Sequence, residues 1–207
     1  MPESYRMTKT AWHNNEILPQ SMLNSGFKPL EQSDHFPSLY QAMRLSKGKT
    51  LLDIGCGMAE VFNTFPEWDY MGADLPHIIQ NVSQKNNPIA GYVAFDADNT
   101  DFNFVEEYDL ILMNSFLSEV PDWYTVLNKI LINCKKDVIV HRQEVTDGET
   151  YSGLYHTYGN LPTTKNVVNY QSFNKTFELN GFSNIYDQPS FPYESNHRTF
   201  LFRKESE

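Results

Sequence analysis

The stretch with the clearest chemical content is Leu51-Leu52-Asp53-Ile54-Gly55-Cys56-Gly57-Met58-Ala59-Glu60, an apolar strand that runs into two glycines spaced by one residue and then into a helix. Glycine lets the backbone turn sharply and lets a ligand approach the main chain without meeting a β-carbon, while the helix that follows presents free N–H groups. Asp74, followed by Leu75, stands nineteen residues after Gly55, at the end of the next apolar run, Tyr70-Met71-Gly72-Ala73. A carboxylate there can accept both hydroxyls of a ribose. A third marker, Phe95-Asp96-Ala97-Asp98, follows a third run and offers a side-chain acceptor to an adenine amino group. Asp53, Gly55, Cys56, Gly57, Asp74, Leu75, Asp96 and Ala97, with Asn114 at the end of a fourth run, describe an adenosine-shaped cleft.

Two ligand classes compete for such a cleft. A dinucleotide loop wants a third glycine in the pattern Gly-x-Gly-x-x-Gly, so that helix and strand can pack around a pyrophosphate. Counting from Gly55, that position is Glu60, and no neighbouring lysine or arginine offsets its repulsion of a diphosphate. An uncharged adenosine with an amino acid tail suits the loop better, because Asp53 can hold the tail's ammonium directly or through water. Cys56 is a small packing residue within the loop, with nothing basic beside it to lower its pKa.

The elements that must position these residues follow from the hydrophobic pattern. Thr50–Ile54, Tyr70–Ala73, Tyr92–Phe95, Tyr108–Met113 and Val138–His141 read as buried strands, and residues 59–65, 76–85 and 122–134 as helices between them. Strand alternating with helix gives an α/β, doubly wound, mostly parallel sheet with helices on both faces, and its ligand lies outside the carboxyl ends of the strands. A helix over residues 172–180 capped by Gly181, then strands near 183–186 and 198–203, close the chain as an antiparallel hairpin. Residues 1–47 form a polar preface ending in a helix that starts near Ser33-Asp34-His35-Phe36-Pro37 and stops near Gly48; residues 48–207 form the domain that carries the cleft.

Composition narrows the classes further. The chain has 207 residues, 40% of them hydrophobic, enough for one core without disulfides or a structural metal. Sixteen basic residues against 26 acidic ones give a net charge of −10, which repels a phosphate backbone and argues against a nucleic-acid partner. No apolar run approaches a bilayer span, and the start of the chain lacks an apolar signal core, so cytoplasm is the expected location, with a homo-oligomer open. No pair of Cys or His has metal-ligand spacing, and no metal is expected.

These residues resemble the class I S-adenosylmethionine-dependent methyltransferases. Asp53-x-Gly55-x-Gly57 resembles their first motif, Asp74 their ribose-binding acid, Asp96-Ala97 their adenine-side turn, Tyr108-Asp109-Leu110-Ile111-Leu112 their fourth strand, and Phe116-Leu117-Ser118-Glu119-Val120-Pro121-Asp122 the Leu-Glu-His-Val-Pro-Asp stretch of small-molecule members. The likeness covers about residues 48 to 203 and implies a seven-stranded fold with the last strand antiparallel, S-adenosyl-L-methionine as cofactor, and methyl transfer. Two departures stand out. Ala59 replaces an alternate glycine, read here as a mild change of bulk, and Ser118-Glu119 replaces the Glu-His pair, so a histidine base at that position does not carry over.

For a hydroxyl acceptor a base near the methyl group helps, and His141, Glu119 and His156 are the catalytic candidates in that order. His141 is placed by its position at the carboxyl end of the fifth strand; its alternative is a strand-end histidine bonded to backbone. The segment Tyr151-Ser152-Gly153-Leu154-Tyr155-His156-Thr157-Tyr158 is either a lid over the substrate or an aromatic surface packed on the sheet. Trp12 and His13 could reach over the cleft, though ordinary packing is their default. Asn114-Ser115-Phe116-Leu117 lacks the prolines and the fourth-place aromatic of the Asn/Asp-Pro-Pro-Tyr/Phe sequence found in enzymes that methylate bases, so a small molecule or sugar, methylated on oxygen, is the expected acceptor. A nicotinamide-dependent oxidoreductase and a degenerate, non-catalytic binding module are the alternatives.

Overall fold

A computed structural model of the chain describes residues 12–13, 17–25, 28–98 and 101–205. Five strands pair in parallel, β1 (Thr50–Ile54), β2 (Asp69–Asp74), β3 (Gly91–Ala94), β4 (Leu110–Asn114) and β5 (Asp137–Thr146), in the order β3-β2-β1-β4-β5. Alternate residues of each strand face opposite sides. Leu52, Ile54, Ile111, Met113, Val138 and Val140 enter one core, while Leu51, Leu110, Leu112 and Ile139 enter the other. Burial on both faces is why these strands read as apolar runs rather than alternations.

Beyond β5 the sheet divides. Residues 137–144 of β5 pair antiparallel with β9 (Glu194–Lys204), which pairs with β8 (Phe182–Phe191). The path β3-β2-β1-β4-β5-β9-β8 is the expected mostly parallel seven-stranded sheet closed by an antiparallel hairpin. That hairpin is longer than the sequence indicated, because β8 runs on through Pro189, tolerated where a strand has a free edge. An additional hairpin was not foreseen. β6 (Tyr151–Thr157) pairs antiparallel with β7 (Leu161–Asn169), and Val168 and Asn169 of β7 pair in parallel with Val145 and Thr146 at the end of β5. The aromatic, polar stretch read as a lid or a packed surface is therefore a pair of strands. Its buried residues include Thr163, Thr164 and Asn166, whose polarity hides the strand pattern; Asn166 donates to the carbonyls of Leu117 at 2.9 Å and Val120 at 2.7 Å.

The helices are α1 (Ile17–Asn24), α2 (Phe36–Leu45), α3 (Glu60–Thr64), α4 over residues 76–86 with a π-helical turn at Ile79–Ser83, α5 (Trp123–Asn133) and α6 (Tyr170–Leu179). Val126, Leu127, Ile130 and Leu131 form the buried stripe of α5, and Phe173 and Phe177 that of α6, on the side of Leu52 and Ile54. Leu39, Ala42 and Met43 of α2 and Val61 of α3 cover the opposite face. Asn169 caps α6 by accepting from Ser172 N at 2.8 Å, which starts the helix two residues before the expected position. α1 lies apart from both layers, where Leu18 and Met22 make a small core with Ile78 and Val82 of α4. Among the described residues no helix is long and apolar enough to cross a membrane.

Candidate active site

The loop after β1 is tied down by its neighbour strand: the N–H groups of Gly55 and Cys56 both donate to Ala73 O, at 2.8 and 3.2 Å. Gly55 has φ +74°, and a β-carbon there would lie 2.7 Å from Phe116 Cδ2, so both conformation and space demand glycine. The N–H of Gly57 donates to Asp74 Oδ2 at 2.8 Å, and that of Leu75 to Asp74 Oδ1 at 2.7 Å, which fixes the carboxylate across the loop. Burial pushes the Asp74 carboxyl up to about 6 against these two backbone donors. Cys56 turns inward, its Sγ 3.8 Å from Ser83 Oγ, and burial raises its thiol well above the usual range. Ala59 requires a correction. Its φ is +54°, the left-handed region, so replacing a glycine here costs backbone strain of about 1–2 kcal/mol rather than a mild change of bulk.

Asp53 falls on the α2 and α3 side of the sheet because it alternates with Leu52 and Ile54. It is 2% exposed, its Oδ2 accepts from the Tyr70 hydroxyl at 3.0 Å, and its Oδ1 is buried with no partner among the described residues. Burial pushes this carboxyl up to about 7, opposed by the Tyr70 hydrogen bond. A buried carboxylate oxygen left without a donor beside a glycine loop matches a ligand ammonium or an ordered water that carries one.

The amino-terminal segment roofs the cleft. Met22 of α1 sits on the loop, with its Cε 3.3 Å from where a β-carbon on Gly57 would be. Met58, Leu75, Tyr158, Leu161 and Trp12 pack around the α1 core, so the turn between β6 and β7 joins the roof. Trp12 Nε1 donates to Thr163 Oγ1 at 2.9 Å, and His13 Nε2 lies 3.2 Å from Asp96 Oδ1, which also accepts from Asp98 N at 3.0 Å. Ala97 packs beside them against the main core. His13, Asp96 and Asp98 bring ligand atoms within 4.8 Å of one another, a grouping suited to an ion that no sequence spacing announces. The hydrogen bond from the roof to Asp96 accounts for it without one.

The catalytic candidates part company. His141 is a correction: β5 does not end there but continues through a bulge between Val140 and Gln143, and alternation places His141 beside Ile139 on the α2 face. It is fully buried, with Nδ1 2.7 Å from Thr199 Oγ1 and Nε2 2.9 Å from His35 Nδ1, so neither nitrogen faces the cleft. Burial drives it well below the usual imidazole range and drives its neighbour His35 down to about 3. The residue that the bulge sends toward the carboxyl end is Arg142, in the left-handed region at φ +58°. Its Nε donates to Asn114 Oδ1 at 2.8 Å, which gives Asn114 a positioning task. Glu119 lies within electrostatic reach of Arg142, is pushed up to about 7 by burial, and keeps a buried Oε2 without a partner among the described residues; a hydrogen bond from Trp12 and the charge of Arg142 oppose that shift. His156 is exposed on β6, on the face opposite Tyr155, and is not brought to Glu119 or to the glycine loop. The structure thus gathers Asp53, Gly55, Gly57, Asp74, Asp96, Asn114 and Glu119 along the strand ends.

Residues 34–187, about three quarters of the chain, match the methyltransferase-domain family. The chain belongs to that family. Solved structures agree on the fold. The structure of SAM-bound CalS10, an amino pentose methyltransferase from Micromonospora echinaspora, superposes with a TM-score of 0.63 at 12% identity, covering 92% of this chain and 98% of that one. A SAM-dependent methyltransferase from Mesorhizobium loti gives 0.66 at 12% identity over 84% and 100%. Human N-acetylserotonin methyltransferase in complex with SAM gives 0.70 at 16% identity, covering all of this chain and 61% of that one. No curated protein sequence matches the chain.

Within a methyltransferase-domain chain, the contacts that the sequence does not show have a common origin. His141 and Arg142 both stand where the fifth strand was expected to end, and the bulge turns Arg142 to the cleft. Trp12 and His13 are separated from their partners Thr163 and Asp96 by 151 and 83 residues. A run of Val-Ile-Val ending in His-Arg carries one usable signal: alternation alone puts His141 with Ile139, away from Val140.

Proposed function

We propose that the protein is an S-adenosylmethionine-dependent methyltransferase that acts on the oxygen of a small molecule or sugar. The observation that carries this reading is the clamp between the glycine loop and Asp74, with Gly57 N and Leu75 N both held on one carboxylate beside the unpartnered Oδ1 of Asp53. When bound, S-adenosylmethionine supplies a methyl group on a sulfonium, an electrophile that needs an aligned nucleophile and little else. Asp74 accepts the ribose hydroxyls, Asp53 faces the ammonium of the amino acid tail, and Asp96 with Ala97 borders the adenine. Glu119 takes the proton from the acceptor hydroxyl, a role suited to a carboxyl that burial raises to about 7. Trp12, Met22 and the β6–β7 turn keep water from the reacting atoms. The amino pentose methyltransferase and the N-acetylserotonin methyltransferase among the structural neighbours support a small acceptor.

A thermal-shift panel tests the reading. S-adenosylmethionine and S-adenosylhomocysteine at 100 times Kd should stabilise the folded chain by about 2.7 kcal/mol, roughly 5–10 °C for a chain of this size. A nicotinamide dinucleotide should leave it unchanged, since Glu60 takes the place of the third glycine that lets helix and strand pack around a diphosphate. Asp74→Ala should abolish the shift. A response to the dinucleotide alone, or to neither ligand, would overturn the assignment.

A further inference from the structure

Arg142 is a charged group in the cleft for which the methyl-transfer reading has no task. The chain departs from its ladder to present it: β5 bulges between Val140 and Gln143, and Arg142 takes a left-handed backbone at φ +58°, which a non-glycine residue seldom occupies. Its N–H donates to Ser190 Oγ at 3.2 Å and its Nε to Asn114 Oδ1 at 2.8 Å, so both the backbone and one edge of the guanidinium are fixed. The two terminal amino groups make no hydrogen bond and no ion pair among the described residues. Glu60 and Glu119 influence its charge without touching it. Lys165 and Arg198, further cations near this end of the sheet, are occupied by Glu144 and Asp187, each at 2.5 Å. A planar fork of donors, held rigidly and left open at its outer end, matches a carboxylate in shape and charge.

Strand order says which ligand brings that carboxylate. Asp96 follows β3, Asp74 ends β2 and the glycine loop follows β1, so the adenosine markers occupy one half of the sheet. Arg142 lies on β5, three strands from β2, or about 14 Å at the usual strand spacing. That is the acceptor's side, where Tyr155 and Tyr158 also stand within electrostatic reach of the guanidinium. One guanidinium matches the single charge of a carboxylate, and Glu60 and Glu119 near it disfavour the second charge of a phosphate dianion.

We infer that Arg142 clamps a carboxylate on the methyl acceptor, so that the substrate class is a small carboxylic acid bearing a nucleophilic hydroxyl, seated beside Tyr155 and Tyr158. The inference rests on the methyltransferase reading above. It is tested by isothermal titration calorimetry on the full chain, first with S-adenosylhomocysteine alone and then, with that ligand saturating, with 4-hydroxybenzoate, salicylate, N-acetyltyrosine and lactate, each beside its neutral amide. The expected result is that at least one acid binds tenfold or more tightly than its amide. Arg142→Gln should remove that preference while changing the S-adenosylhomocysteine Kd less than threefold, a retained affinity that also shows the variant is folded. Arg142→Lys, a point charge without the fork, should restore the preference only in part. Equal binding of acids and amides, or binding of none of the acids, overturns the inference and leaves the cofactor reading standing. A loss of more than tenfold in S-adenosylhomocysteine affinity in Arg142→Gln, with the acid preference kept, also overturns it and assigns Arg142 to the cofactor's own carboxylate. Failure of the wild-type chain to bind S-adenosylhomocysteine at all removes the methyltransferase reading, and this inference with it.

Discussion

Asp53→Asn should stabilise the ligand-free protein while weakening its hold on the cofactor, and the size of the first effect can be worked out. The Asp53 carboxyl is 2% exposed and is raised from 3.8 to about 7 on folding, chiefly by burial. A group whose folded pKa is raised favours folding most at low pH, and that contribution is lost as pH rises from the unfolded value through the folded one. Three units at about 1.4 kcal/mol each give a ceiling of roughly 4 kcal/mol by pH 7 to 8. Asparagine has no charge to bury, and its Oδ1 can keep the hydrogen bond from Tyr70. Its Nδ2 falls where Oδ1 of the acid finds no partner, at a cost of about 1–3 kcal/mol. The expected gain is therefore about 2 kcal/mol at pH 8, or roughly 4–8 °C in Tm, shrinking toward nothing or reversing near pH 4. Urea denaturation of both proteins at pH 4, 6 and 8 gives the difference directly, and calorimetry with S-adenosylhomocysteine at pH 8 should show weaker binding by the variant. A stability difference independent of pH, or an affinity that rises with the substitution, would refute the argument that this oxygen waits for a ligand's positive charge.

Two further outcomes follow from backbone and burial. Gly55→Ala meets Phe116 Cδ2 at 2.7 Å in a left-handed conformation and should cost about 2–4 kcal/mol, whereas Gly153→Ala on β6, with nothing within 4 Å, should be neutral or stabilise by up to about 1 kcal/mol; thermal denaturation of the pair separates the two. His35 is depressed to about 3 by burial and by Arg142, so the fold needs it neutral: wild-type stability should fall as pH drops below 6.5 and continue falling toward 3, and His35→Gln should flatten that limb in a urea series. An acid limb equally steep in the variant would place the titration elsewhere.

The parallel sheet was legible because each of its central strands is buried on both faces and announces itself as an apolar run, and the loops between them carry the glycines and acids that the chemistry needs. Gly55, Gly57, Asp74 and Asp96 could be placed because strand ends in a doubly wound sheet converge on one edge. What stayed hidden depends on long-range contact or on a single irregularity. The β6–β7 hairpin buries Thr163, Thr164 and Asn166 rather than aliphatic residues, so its strand pattern is masked by polar side chains that find partners only in the folded chain. His141 looked like a strand-end base because a bulge cannot be read from Val-Ile-Val-His-Arg. With the strand continuing, the same histidine becomes part of a buried polar cluster with His35, Thr199, Ser38 and Ser190.

The division of labour in the cleft follows from where each residue comes from in the chain. Residues assigned to the cofactor sit at the ends of β1 to β4, positioned by the rigid sheet. Residues proposed to surround the acceptor come from additions to it: Trp12 from the amino-terminal segment, Tyr155 and Tyr158 from the β6–β7 hairpin, and Arg142 from a bulge in β5. Those additions are interlocked, since Trp12 is bonded to Thr163 of β7 and Met22 rests on Gly57, so ordering the roof completes both halves of the site at once. A fold shared with proteins only 12–16% identical therefore fixes where the strand ends converge, while the proposed acceptor contacts come from elements with separate freedom to change. On that argument the search for the substrate should start from the roof and Arg142 rather than from the sheet.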